Sequence, residues 1–502
     1  MYFLVYYQYV EFPQLLPKCQ MMLMNRLYHS LQEKDMKTKR FISVFLLISL
    51  VMSLWAVPFA AADGPDGPPD PPPTLPAEPE LNAKAALLVD ANTGAVVYAK
   101  NEHQELYPAS LTKIMTALLV LEAVDKGQLT MDQQLTATAS ALEGLSADGS
   151  TANIQVGEIM SVENLLYCML VVSANEACDI LAEAVSGSVD AFVDAMNAKA
   201  QELGCKNTHF ANPNGLHDSQ HYTSAWDMYL IAKAALEYDA FMTICDTATA
   251  TIPATNLSEA RTLHTTNYLI GAWWSRGYLN SDAHGIKTGS TSEAGHCLVS
   301  SARRGSLSFI SVVLGCDRVT LENNEIRTYS FYDTNQLFKW AFDNFAYQTI
   351  IEESEMLQEV PVSLSKIDHV TVHPAQDVEV LMPKGLLPRQ LERTVSLRSD
   401  PAEAPISEGD VLGTLTLSYD GKEYATVDLL ALNDVEASRL LTFWRDVQLF
   451  FSKTFVKVAA VVLAVLILAL VVWRLLFSRR RYRYGRSVGR GRGSNYRGRR
   501  RH

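Results

Sequence analysis

Tyr107–Ala123 reads YPASLTKIMTALLVLEA, which places a lysine one helical turn after a serine at the mouth of an apolar run. Residues three apart share a helix face, so the Lys113 amine can reach the Ser110 hydroxyl. A serine hydroxyl is a weak nucleophile until a base takes its proton, and a lysine serves as that base when burial and neighbouring cations lower its pKa. The start of the helix adds backbone N–H groups without intrahelical partners, where an oxyanion would develop. Taken alone, Ser-x-x-Lys also fits an ordinary N-terminal serine followed by an exposed lysine. Its meaning depends on what the rest of the chain brings to it.

Two further segments bear on it. VVSANEACDILAEAV, Val171–Val185, sets Ser173, Ala174 and Asn175 between two apolar helical runs. A loop there can present a hydroxyl that relays protons and an amide that donates to a carbonyl, although such a triplet is also a common interhelical cap. HGIKTGSTSEAGHCLV, His284–Val299, reads as a strand carrying Lys287, Thr288 and Gly289. A lysine and a threonine on one edge suit a carboxylate, glycine lets substrate backbone come close, and the N–H of Ser290 can complete an oxyanion hole.

In this order, on a helix start, a loop and a strand, the three segments resemble the active-site set of the penicillin-recognising serine enzymes. YPASLTKIMTALLVLE, MLVVSANEACDILAE, FANPNGLHD (Phe210–Asp218) and GIKTGSTSEAGHCLVSSA narrow the resemblance to the low-molecular-mass D-alanyl-D-alanine carboxypeptidases, serine peptidase family S11. It covers about residues 81–348, and the β-rich stretch after them is similar to that family's C-terminal β-domain. The resemblance implies an α+β fold, an antiparallel sheet flanked by helices, followed by a small all-β domain, to which this chain adds a C-terminal transmembrane helix. It also implies roles: Ser110 attacks the carbonyl between the two terminal D-alanines of a peptidoglycan stem peptide, Lys113 takes its proton, and Ser173 protonates the departing D-alanine. Asn175 would help hold the substrate amide, Lys287 and Thr288 the terminal carboxylate, with Gly289 giving room and the N–H groups of Ser110 and Ser290 forming the oxyanion hole. β-Lactams would acylate Ser110 as substrate mimics. No cofactor or metal is implied. Glu176 departs from the family, where many relatives carry Asp, but keeps the charge. The anchor departs too, since many relatives use an amphipathic helix.

Outward from these motifs, the 502 residues are 48% hydrophobic and 20% charged, which excludes a mainly disordered chain. MKTKRFISVFLLISLVMSLWAVPFAAAD, from Met36, reads as a secretory signal over 36–62 with cleavage after Ala62. Residues 1–35 are then upstream sequence read as protein. Acidic, proline-rich 63–80 reads as an extended spacer. The catalytic domain spans 81–348, opening with a hairpin that turns at Asn92, Thr93 and Gly94. Helical patterns run over Leu111–Val124, Ser161–Val172, Glu176–Val185, Ala191–Leu203 and Ser224–Tyr238 before strands return. Short β-like stretches with frequent turn signals make 352–433 a separate β-domain. Residues 434–455 read as an amphipathic juxtamembrane helix and 456–477 as a membrane span.

The tail 478–502 holds eleven arginines and no acid, which leaves −23 of the net −12 on everything before it. So acidic a body is poorly suited to nucleic acid, and no nucleic-acid partner is expected. The tail itself could bind RNA through its arginines and tyrosines, but a cytoplasmic segment on anionic lipid is the plainer account. Signal and anchor together place the body outside the membrane as a single-pass protein.

Six cysteines follow the signal, and either disulfides or buried thiols fit their spacing. His217, His221, His284 and His296 lie near the motifs without a Ser-His-Asp logic, and Trp273-Trp274 reads as core or rim packing. The competing activities are a β-lactamase, a D,D-endopeptidase on cross-links and a non-catalytic envelope scaffold. Between the second and third motifs no Glu-x-x-Leu-Asn segment positions a deacylating water as a β-lactamase would need. The intact Ser110, Lys113, Ser173 and Lys287 speak against a scaffold.

Overall fold

A computed structural model describes residues 72–73, 75–145, 149–273 and 277–478. The upstream segment 1–35, the signal at 36–62 and the arginine tail beyond 478 lie outside the described residues, as does most of the spacer.

Ala85–Asp90 (β1) is buried at every position. Successive side chains of a strand point to opposite faces. Ala85, Leu87 and Val89 accordingly enter one core and Ala86 and Leu88 a second. A strand buried on both faces needs a layer on each side, and the chain supplies both. β1 lies in a five-stranded antiparallel sheet with Val96–Lys100 (β2), Ala283–Thr291 (β3), Gly295–Arg304 (β4) and Leu307–Cys316 (β5), in the order β2-β1-β5-β4-β3. β5 repeats the alternation: Ile310, Val312 and Leu314 join the first core, Phe309 and Val313 the second. β3, which carries Lys-Thr-Gly, is left at an edge.

Six helices cover the first face: Lys113–Asp125 (α1), Val162–Val171 (α2), Asn175–Ser186 (α3), Val189–Glu202 (α4), Ala225–Ala235 (α5) and Asp239–Cys245 (α6). α1 packs against the other five. That explains its apolar sequence all round, which would be wasted on a surface helix. Ser161, Ser188 and Ser224 cap α2, α4 and α5, each Oγ accepting the N–H three residues on at 3.1–3.2 Å. Tyr329–Asn344 (α7) closes the second core with Leu337, Phe338, Ala341 and Phe342. The expected α+β class, with an antiparallel sheet flanked by helices, therefore holds, while α6 and α7 were not singled out from the sequence. All six cysteines in the described residues are unpaired thiols.

From α7 the chain passes directly into Phe345–Ile351, which pairs with Val378–Pro383. A six-stranded sheet follows, built on Gln358–Ser363, His369–Pro374, Glu392–Leu397, Val411–Tyr419 and Lys422–Ala431 with the short strand Ala402–Glu403. It encloses its own core of Val360, Val372, Leu415, Leu417 and Leu429. Arg439–Ser452 (α8) and Thr454–Ser478 (α9) end the described chain. Within Thr454–Phe477 an 18-residue stretch reaches a mean hydropathy of 3.1 with none of it buried, and the helix is long and apolar enough to cross a bilayer.

The two-sided sheet has a direct test in the neighbours Leu87 and Leu88, which face opposite cores. Leu87→Ala and Leu88→Ala should each lower the unfolding free energy by about 2–5 kcal/mol, read by urea denaturation. Were the sheet covered on one side only, one of the two would pass nearly unnoticed.

Candidate active site

Ser110 sits in a single 3₁₀ turn, Ala109–Thr112, that leads into α1. Ala109 holds a positive φ of 49°, unusual for a residue with a Cβ. Two glycines press on this turn. A Cβ on Gly215 would lie 2.0 Å from the Ala109 carbonyl oxygen, and one on Gly289 would lie 2.8 Å from that of Pro108 and 3.2 Å from the Ser110 nitrogen. Only bare backbone can come this close. The edge strand β3 thereby lies directly against the turn that bears Ser110.

The same turn is held from below by His221. Its Nδ1 accepts the Ala211 N–H at 3.1 Å, so in the neutral ring the proton is on Nε2, which donates to Thr112 Oγ1 at 2.7 Å. Thr112 Oγ1 in turn donates to the Ala109 carbonyl at 2.8 Å. Burial pushes the His221 pKa down to about 4, which keeps the ring neutral. Of the other histidines near the motifs, His217 packs edge-on against Tyr107, His284 meets Asp246 at 3.0 Å, and His296 lines the cavity.

Lys113 is fully buried. Its Nζ lies 3.0 Å from Ser110 Oγ, 2.8 Å from Asn175 Oδ1 and 2.5 Å from the Asn214 carbonyl oxygen. Burial lowers its pKa, against the pull of Cys178, Asp179 and Glu176. Asn214 is placed by its Nδ2, which donates to both Asp179 carboxylate oxygens at 3.3 Å. Burial pushes the Asp179 carboxyl up to about 7 in spite of that bond. Lys287 is equally buried and donates to the Thr288 carbonyl at 3.0 Å. Burial and then the charge of Lys113 push its pKa down to about 7.

Ser173 adopts a positive φ of 66° in the α2–α3 loop. Its buried Oγ has no hydrogen-bond partner among the described residues. Both features are typical of a functional position, since a strained backbone and an unpaired hydroxyl are each unfavourable in an ordinary loop. Ser110, Ser173, Thr288, Gly289, Ser290 and Arg318 share one cavity of about 230 Å³. Of the eight site residues read from sequence, five thus line it, Lys113 and Asn175 stand behind Ser110, and Lys287 lies buried beside Thr288.

Several neighbours were not read from the sequence. Asn214 sits in the quoted FANPNGLHD, where Asn-Pro-Asn-Gly signals a turn but not a carbonyl on a lysine. Arg318 and Thr266, whose Oγ1 lies 2.6 Å from Thr288 Oγ1, had no local signal. Glu176 does more than keep a charge: its Oε1 accepts from Thr151 Oγ1 and Ala152 N, both at 2.7 Å, and shapes the loop that brings Ser150 to the cavity. Trp273 is 64% exposed and stacked on His264 at 3.7 Å, so it belongs to the rim; Trp274 lies outside the described residues.

The whole chain can also be compared with known proteins. Residues 73–318 match the family model for D-alanyl-D-alanine carboxypeptidase, and residues 345–437 that for the penicillin-binding protein 5 C-terminal domain. The chain is 32% identical over 405 residues to D-alanyl-D-alanine carboxypeptidase DacF of Bacillus subtilis, covering 81% of this chain and 97% of that one. Among solved structures it is similar to penicillin-binding protein 5 of Haemophilus influenzae, with 31% identity and a TM-score of 0.56 over 72% of this chain and 99% of that one. The D-alanyl-D-alanine carboxypeptidase DacD of Francisella tularensis gives 27% identity and a TM-score of 0.59 over 74% and 97%.

The buried amines leave a signature in stability. Between its lowered folded pKa and the unfolded value of about 10.4, a lysine binds more protons unfolded than folded, so stability rises with pH in that window. For Lys287 the window opens at about 7. Lys287→Met removes one such titration and should flatten the rise above pH 7 by up to about 1.4 kcal/mol per pH unit. Urea melts at a series of pH values measure it, and an unchanged slope would mean that Lys287 keeps an ordinary pKa.

Proposed function

The chain belongs to the D-alanyl-D-alanine carboxypeptidase family, and on that premise we propose a specific division of labour within its site. It is a serine-type hydrolase that removes terminal D-alanine from peptidoglycan stem peptides. Ser110 Oγ attacks the carbonyl carbon between the two D-alanines while Lys113 Nζ takes the hydroxyl proton. The observation that carries this assignment is the 3.0 Å contact between Ser110 Oγ and a fully buried amine. A neutral amine has two N–H groups, and the Asn175 and Asn214 oxygens satisfy both, leaving its lone pair for the Ser110 hydroxyl. The Ser110 and Ser290 N–H groups stabilise the oxyanion. As the C–N bond breaks, Ser173 passes a proton to the amine of the departing D-alanine. Water then attacks the ester, gives a proton back to the lysine–serine pair, and releases the shortened peptide.

Lys287, Thr288 and Arg318 bind the terminal carboxylate, Asn175 supports the substrate amide, and Gly289 gives the backbone room. A carboxylate docked at Lys287 favours its charged form. The cavity residues all fall within 81–348, which supports placing catalysis there, with 352–433 as a β-domain and 434–455 as a juxtamembrane helix. The signal read at 36–62, the apolar helix α9 and the arginines beyond it support an extracytoplasmic body on a single span, residues 456–477, with a cytoplasmic tail.

Labelled penicillin should acylate Ser110, found by mass mapping, and Ser110→Ala should carry no label. Lys113→Met should slow acylation by roughly 10²–10⁴-fold. In the parent protein the acylation rate should fall as pH drops through the lowered Lys113 pKa, because a protonated amine cannot accept. Apparent affinity should weaken above pH 7 as Lys287, with a pKa of about 7, loses its charge. Label that persists in Ser110→Ala would sink the assignment. For the topology, protease added to intact spheroplasts should digest the body and spare the tail; loss of a tail epitope would reverse the orientation.

A further inference from the structure

The cavity is lined by two groups of residues, its two walls, that come from different segments of the chain. Ser150 and Ser173 stand on one, Thr266, Tyr268 and Thr288 on the other. The Ser150 wall is tied to the catalytic loop, since the Ser150 carbonyl accepts the Asn175 N–H at 2.9 Å and Glu176 gathers Thr151 and Ala152. The Thr266 wall is tied to β3 through Thr288. None of the proposed chemistry accounts for what joins the walls at their outer ends.

That junction is a buried ion pair. Glu158 is 1% exposed, and its Oε1 lies 2.5 Å from Arg261 Nη2. The carboxylate also accepts from Thr255 Oγ1 at 2.8 Å and from Gln155 N at 3.0 Å. The other Arg261 terminal nitrogen, Nη1, donates to the Ala152 carbonyl at 3.1 Å. Arg261 opens the strand Arg261–His264, which runs into Thr266 five residues from its start. It therefore belongs to one wall and grips the other at two points.

With this grip the contacts close a ring. From Ser110 it passes through Lys113, Asn175, Ser150 and Ala152 to Arg261, then through Thr266 and Thr288 to Gly289, which lies against the turn of Ser110. Arg261 is the link farthest along the ring from the nucleophile. A planar guanidinium can hold two acceptors in fixed directions, which an ammonium cannot. A buried ion pair adds little stability beyond a well-packed apolar pair, so its geometry is the better reason for it.

We infer that Arg261 and Glu158 are positioning residues for the reaction: their ion pair sets the separation of the two walls and so the placement of Ser173 relative to Thr288. This rests on the roles proposed for Ser110 and Lys113. Neither residue touches the cavity, and the effect reaches the reacting groups through Ala152–Ser150 on one side and Thr266 on the other.

The test uses the full chain in detergent and the paired variant Glu158→Met/Arg261→Met, which removes both charges and leaves no unpaired ion. Melting temperature, kcat and KM on a D-Ala-D-Ala peptide, and the amplitude and rate constant of Ser110 acylation by benzylpenicillin are measured together. The expected result is a full acylation amplitude with kcat and the acylation rate constant each down roughly tenfold and KM changed less, as small misplacements of catalytic groups produce. Arg261→Lys, which keeps the charge and one of the two grips, should fall between the paired variant and the parent. A paired variant that acylates at the parental rate constant would overturn the inference, whether its amplitude is full or reduced, because the ion pair would then only support the fold. Absence of Ser110 acylation in the parent itself would instead remove the premise.

Discussion

An amine held out of water beside a serine hydroxyl is the constraint on which the rest of this structure depends. In solvent a lysine is protonated at neutral pH; burial pushes Lys113 toward its neutral form. To bury it the chain surrounds α1 with five other helices, and to keep it satisfied it supplies the Asn175 side chain and the Asn214 carbonyl. Asn214 is fixed in turn by Asp179, a carboxyl that itself is forced toward its neutral form. One unfavourable placement thus draws in a chain of others. Each is tolerable because the sheet and its two cores overdetermine the geometry.

Close approach of backbone to backbone is the second constraint. Strand β3 brings Lys287, Thr288 and Ser290 up to Ser110, yet the turn of Ser110 already fills the space where a side chain would be. Gly289 on the strand and Gly215 on the opposite loop answer it from two sides. His221 supports the same turn as a neutral ring, through a hydroxyl rather than through charge.

The motif residues were legible in the sequence because local geometry fixes their spacing. Ser110 and Lys113 sit one turn apart, and Lys287, Thr288 and Gly289 follow one another along a strand. The opening hairpin, and the apolar faces that gave α1–α5 to within a few residues, are local for the same reason. What escaped reading depends on contacts distant in sequence. Glu158 and Arg261 are 103 residues apart, and Arg261 reads as one more surface arginine until the fold brings it across. Helix α7 was lost because its apolar residues are dispersed among polar and aromatic ones, and only the second face of the sheet shows which of them matter.

The two lysines show how a site of this kind holds together electrostatically. Each lies in the same low-dielectric interior, and the charge of Lys113 lowers the proton affinity of Lys287. Were both ammonium ions, two like charges would repel each other in a buried site, an arrangement less stable than one charge alone. Neutrality of at least one amine is therefore favoured by the fold itself, before any substrate arrives. Which amine gives up its proton is then decided by what else is present. Lys113 has the Ser110 hydroxyl to interact with as a neutral base, whereas Lys287 borders the cavity through Thr288, where an anion would stabilise its charge. The asymmetry comes from position alone: two identical side chains, one against a hydroxyl and one beside the cavity wall.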